Sequence, residues 1–92
     1  MPIKCRFIEY KDGIKLKPGD MFYNSGYLIV ILPNKARFNL TSAERLWKIT
    51  GEPPEITVTP SINMDPNWNH EGWHGYLTNG ELSDDLEGRN YD

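Results

Sequence analysis

The sequence predicts an all-β fold: a small antiparallel sheet or partly open barrel of six to eight short strands, with one short helix near residues 42–46. Three observations predict it. Apolar, β-branched and aromatic residues fall in short runs, most clearly Tyr27–Leu32 and Ile56–Thr59, and not at helical spacing. Turn pairs recur between the runs: Asp12-Gly13, Pro18-Gly19 and Asn79-Gly80. Only Thr41-Ser42-Ala43-Glu44 carries a helix-starting pattern, a capping box.

In chain order, Lys4–Tyr10 reads as a first strand and Lys11-Asp12-Gly13 as a turn. Ile14–Lys17 alternates strictly, which suits a half-buried strand, and Pro18-Gly19 has the order a type II turn prefers. Asp20–Tyr23 is extended, Asn24–Gly26 breaks it, and Tyr27–Leu32 is apolar enough to be a central strand buried on both faces. Ala36–Leu40 is its antiparallel partner, with Ala36, Phe38 and Leu40 facing the core. The helix that follows is short, because Leu46–Thr50 turns β-like and Gly51–Pro54 ends anything helical. Ile56–Thr59 alternates as a further strand, and Pro60 stops it. Residues 61–71 form a polar loop. Asn79-Gly80 then closes a hairpin whose central residues both take φ > 0, pairing Trp73–Thr78 with Glu81–Leu82. Residues 1–83 make one β-rich domain and 84–92 an acidic, mobile tail.

A lone cysteine, Cys5, allows no internal disulfide, and no apolar run is long enough for a bilayer. A cytoplasmic setting in a host cell is expected. The net charge of −3 divides unevenly: residues 1–48 carry nine Lys/Arg against four Asp/Glu, and residues 49–92 one Arg against nine Asp/Glu. Overall acidity argues against direct nucleic-acid binding. The split has two explanations, internal neutralisation or a surface that steers a basic partner.

His70 and His74 have an H-x3-H spacing, but Gly72 and Gly75 oppose a helix. On a strand they would lie about 13 Å apart, too far for one metal. No metal and no cofactor are expected. Ser61, His74 and a carboxylate such as Asp65 are the residue types of a nucleophile, a base and its orienter. Against this, no nucleophile elbow or oxyanion glycine run surrounds Ser61, and a serine after Pro60 reads as a turn residue. Trp47 and Trp73 are expected in the core, and Trp68, between two asparagines, as a contact residue. The candidate binding residues are Trp68, His70, Trp73, His74, Tyr76, Asp84, Asp85 and Glu87, with no catalytic set.

Gly19–Tyr23, Leu32-Pro33-Asn34, Thr50–Pro54, Thr57–Ile62 and Gly72–Glu81 resemble successive blocks of a family of short phage and prophage proteins of no established function. Its signature is P-S-I followed by W-H-G-x-L-x-x-G, matched here by Pro60-Ser61-Ile62 and Trp73–Gly80. Some members carry the label ammonia monooxygenase, for which this chain shows no copper-ligand cluster. Longer relatives place cysteine clusters in the middle and just before the W-H-G block. This chain has Leu32–Ala36 and Glu71-Gly72 there. The leading reading is a phage or prophage accessory protein that acts by binding and not by catalysis, inhibiting a host defence component through the acidic C-terminal half or the 61–71 loop, a step that rests on phage gene context. Its partner would be a host or phage protein with a basic surface. A small-ligand or nucleotide-binding domain is the alternative, a small hydrolase the third reading. A homo-oligomer stays open, and no membrane partner is expected.

Overall fold

A computed structural model describes residues 1–91. They form nine strands and one helical turn: β1 Ile3–Lys4, β2 Arg6–Phe7, β3 Asp20–Asn24, β4 Tyr27–Ile31, β5 Arg37–Asn39, α1 Leu40–Ala43, β6 Lys48–Glu52, β7 Glu55–Met64, β8 Trp73–Thr78 and β9 Glu81–Leu82. Two sheets result, ordered β1-β9-β8-β7-β6 and β2-β3-β4-β5. The all-β class and the short helix are as the sequence predicts, in the form of two packed sheets.

The core lies between the sheets. Met21, Leu28, Val30, Leu32, Phe38 and Leu40 meet Ile56, Val58, Ile62, Trp73, Leu77 and Leu82. The other face of β4 is also covered: Ile29 and Ile31, with Phe22, pack under Ile8, Tyr10 and Leu16. Strand β4 is therefore buried on both faces, as its continuous apolar run requires.

The first expected strand is divided. β1 pairs antiparallel with β9, whereas β2 pairs parallel with β3. The chain passes from one sheet to the other at Cys5, whose side chain is buried in the shared core. Ile14–Lys17 forms no strand. Its alternation serves instead to lay Leu16 over the smaller cluster, between the turn at Gly13 and the Pro18-Gly19 reversal. In that reversal Asp20 N–H donates to Lys17 O at 3.0 Å and Gly19 takes φ +93°.

The helix starts earlier than the capping box suggests. Asn39 is the N-cap, its side-chain oxygen accepting from Ser42 N–H, a contact worth about 1 kcal/mol. Thr41 Oγ1 is engaged elsewhere, accepting from Leu28 N–H at 2.9 Å. Leu32–Ala36 and Glu71-Gly72 meet in space, where Asn34 Nδ2 donates to Glu71 O at 2.7 Å.

Strand β7 runs through Pro60 and on to Met64. Val58 pairs with Leu77 and Ile62 with Gly75, so Thr59, Pro60 and Ser61 face Tyr76 alone across a bulge. A proline lacks the N–H that a regular ladder uses, and a bulge is where that lack is tolerated. The expected loop 61–71 thus shrinks, and Ser61 sits on a strand.

The β8–β9 turn is as expected: Asn79 has φ +47° and Gly80 φ +76°, both positive as a type I′ turn needs. The segment read as a mobile tail is, over its described residues, tied to β8. Ser83 N–H donates to Tyr76 O and Leu86 N–H to His74 O. Tyr91 Oη donates to Gly72 O.

Candidate active site

Along β8, Trp73, Gly75 and Leu77 are buried, while His74 and Tyr76 face outward. Along β7, Ile62 points into the core, so Ser61 and Asn63 share the outer face with His74. Asn63 is directly opposite His74. Ser61 is two residues before Asn63 and is therefore His74's diagonal neighbour, a separation an imidazole can span. Ser61 Oγ lies 3.1 Å from His74 Nε2.

The other side of the ring meets Glu87: His74 Nδ1 and Glu87 Oε2 are 2.9 Å apart. A carboxylate there accepts the Nδ1 proton, which leaves the Nε2 lone pair facing the serine hydroxyl. The tautomer follows from these partners. It is the one a base needs to take a proton from Ser61.

Asp85 holds this arrangement in place. Its carboxylate is buried and accepts from five directions: the backbone N–H of His74, Glu87 and Arg89, and Arg89 Nε and Nη2. Burial opposes its ionisation. The hydrogen bonds from Arg89 and His74 outweigh that and hold the carboxyl well below the usual carboxylate range. The backbone of His74 is gripped on both sides, at N–H by Asp85 and at C=O by Leu86. The same short segment delivers Glu87 to the ring. A third support lies beyond β7, where Trp47 Nε1 donates to Ser61 O at 3.1 Å and the indole packs edge-on against Phe38.

The sequence candidates separate accordingly. His74 and Glu87 come together with Ser61, and Tyr76 lies half-exposed on the same face, opposite the bulge. Trp73 is fully buried and is a core residue. Trp68 is 91 % exposed at the tip of the 65–72 loop, where Asn67 Oδ1 accepts from the backbone of Asn69 and His70. Asp84 pairs with the N-terminal amino group. Asp85, expected on an exposed acidic surface, is buried. Glu87, not Asp65, is the carboxylate that meets the His74 ring. Cys5 is buried, and that burial, helped by Asp20, pushes its thiol up to about 11, away from the reactive thiolate. Among the described residues, no group of three or more His, Cys, Asp or Glu is placed to hold a metal, and no helix is long and apolar enough to cross a membrane.

Fold and site define a class, a small two-sheet β protein bearing a serine–histidine–carboxylate constellation of the type found in serine hydrolases. Comparison with known proteins narrows it. The model of a family described as bacterial ubiquitination-like system serine protease (BubE) matches residues 32–83, more than half of the chain. The chain belongs to this family. Ser61 and His74 lie inside the matched span and Glu87 just beyond it. No curated protein and no solved structure matches. The family match overturns the expectation of a phage accessory protein that inhibits host defence by binding, because it places the chain in a protease-related family.

Proposed function

We propose that the protein is a serine peptidase in which Ser61 is the nucleophile, His74 the general base and acid, and Glu87 the residue that orients the imidazole. The observation that carries this reading is the relay from Ser61 Oγ to His74 Nε2 at 3.1 Å and from Nδ1 to Glu87 at 2.9 Å. The family description supports peptide-bond cleavage.

Ser61 Oγ attacks the scissile carbonyl carbon as its proton passes to His74 Nε2. The carbon–nitrogen bond then breaks, and the amine leaves with that proton. Water, deprotonated by the same nitrogen, hydrolyses the acyl-serine and restores the hydroxyl. Glu87 keeps Nδ1 protonated and stabilises the imidazolium during each transfer. The oxyanion needs a donor on the same face. Asn63, opposite His74 and two residues from Ser61, is the side-chain amide so placed.

The test is hydrolysis of a peptide mixture by the wild type and by Ser61→Ala. The variant should lose cleavage while keeping its melting temperature, since Ser61 lies outside the core. Equal cleavage by both proteins would refute the reading.

A further inference from the structure

Strand β6 is the last strand of its sheet, and its ladder with β7 ends at the pair Lys48–Thr59. β7 continues for five more residues, to Met64. Among the described residues, no strand pairs with Ser61–Met64 on that side. What meets this edge is Trp47, whose Nε1 donates to Ser61 O. The backbone N–H and C=O of one strand residue point to the same neighbour, and successive residues alternate. Ser61 O faces the β6 side, so Asn63 N–H and C=O face it as well. Asn63 is exposed.

Trp47 also forms one wall of a groove of about 460 Å³, lined by Phe38, Ala43, Leu46 and Trp47 and by the polar Asn39, Ser42 and Arg45. Leu46 is 81 % exposed, a large apolar side chain with little packed on it. A groove of that size accepts an aliphatic or aromatic side chain. One residue, Trp47, thus touches both the groove and the carbonyl of the nucleophile.

We propose that the open edge of β7 is the substrate-binding edge. An extended peptide adds there as a strand, hydrogen-bonding Asn63 N–H and C=O, and places one large apolar side chain in the groove beside Trp47. This inference rests on Ser61 being the nucleophile. Main-chain pairing supplies sequence-independent affinity, and the groove supplies the preference. The edge is short, and the exposed charges of Lys48 and Arg45 beside it discourage pairing with further sheets.

The experiment uses the whole chain and a positional-scanning peptide library with a fluorescent leaving group. One position should prefer Leu, Phe or Met over Asp and Gly by about tenfold or more in kcat/KM. N-methylation of the peptide nitrogen that pairs with Asn63 O should raise KM with little change in kcat. Leu46→Glu should erase the apolar preference, and the wild-type protein should be labelled at Ser61 by a fluorophosphonate. Cleavage with no apolar preference, or indifferent to every N-methylation, would overturn the edge proposal and leave the nucleophile standing. No labelling of Ser61 would remove both. A dimer dissociated by Leu46→Glu, with peptide preference unchanged, would assign the edge to a second copy and also overturn the proposal.

Discussion

Ser61 and His74 lie diagonally across adjacent antiparallel strands, with Oγ 3.1 Å from Nε2, because a bulge at Thr59–Ser61 sets the register between them. The pair is thus a product of sheet geometry and not of a sharp turn. Its third member arrives from the segment that follows the β8–β9 hairpin.

Glu87 Oε2, 2.9 Å from His74 Nδ1, is placed to accept its proton and so to select the tautomer of the ring. Glu87→Gln should lower kcat by about 10²-fold or more, because a carboxamide can donate to Nδ1 and turn Nε2 into an N–H. KM should change little. Steady-state kinetics on a cleaved peptide check this, and an unchanged kcat would remove Glu87 from the relay.

Asp85 links folding to pH. Its carboxyl is held below the ordinary range in the folded chain, so its contribution is fully present above the unfolded value of about 3.9. It fades as pH falls through that value towards the folded one. Wild-type melting temperature should therefore drop on acidification more steeply than that of Asp85→Asn, and the two curves should converge at low pH. At neutral pH Asp85→Asn should melt lower and lose activity, because the segment carrying Glu87 is released. Parallel curves would contradict this role.

Gly75 leaves room for the buried indole beside it. A Cβ there would stand 2.3 Å from the Trp73 ring and 2.6 Å from Ser83 Oγ. Gly75→Ala should cost about 1–3 kcal/mol by overpacking, read from denaturant unfolding. A neutral effect would show that the ring can move aside.

Cys5 should be silent in the chemistry. Its thiol is pushed up to about 11 and is buried, so iodoacetamide should leave the native protein unmodified and active, and should modify it after unfolding. Mass spectrometry reads both. Inactivation of the folded protein would point to a cysteine mechanism.

Much of the fold was legible because local chemistry decided it. Asn79-Gly80 and Pro18-Gly19 name their own turns, and the unbroken apolar run at Tyr27–Leu32 requires cover on both faces. The errors have physical causes. Strict alternation at Ile14–Lys17 reflects one buried side chain, Leu16, on a segment without a ladder. The capping box at Thr41–Glu44 lost to Asn39, because Thr41 is used to bind β4. Pro60 reads as a stop only if the ladder is regular, and the bulge absorbs it.

The same proline hid the site. With Pro60 ending the strand, Ser61 falls into a loop and loses its register with His74. Ser61 and His74 were visible as residue types for a nucleophile and base, but their pairing was not. His74 is thirteen residues from each partner in sequence, and no local motif spans such distances. Glu87 reads as part of an acidic surface because nothing in residues 84–91 alone shows that Asp85 is buried. The signal available was Arg89, the one cation in that half of the chain, four residues after Asp85.

The central claim is that Ser61 is a nucleophile activated by His74. Its most direct measurement is reaction of the native protein with a fluorophosphonate, followed by peptide mapping. The account predicts a single adduct on Ser61 that is absent in His74→Ala and in heat-unfolded protein. An adduct on Ser25, Ser42 or Ser83, or an Ser61 adduct that forms equally well without His74, would contradict it.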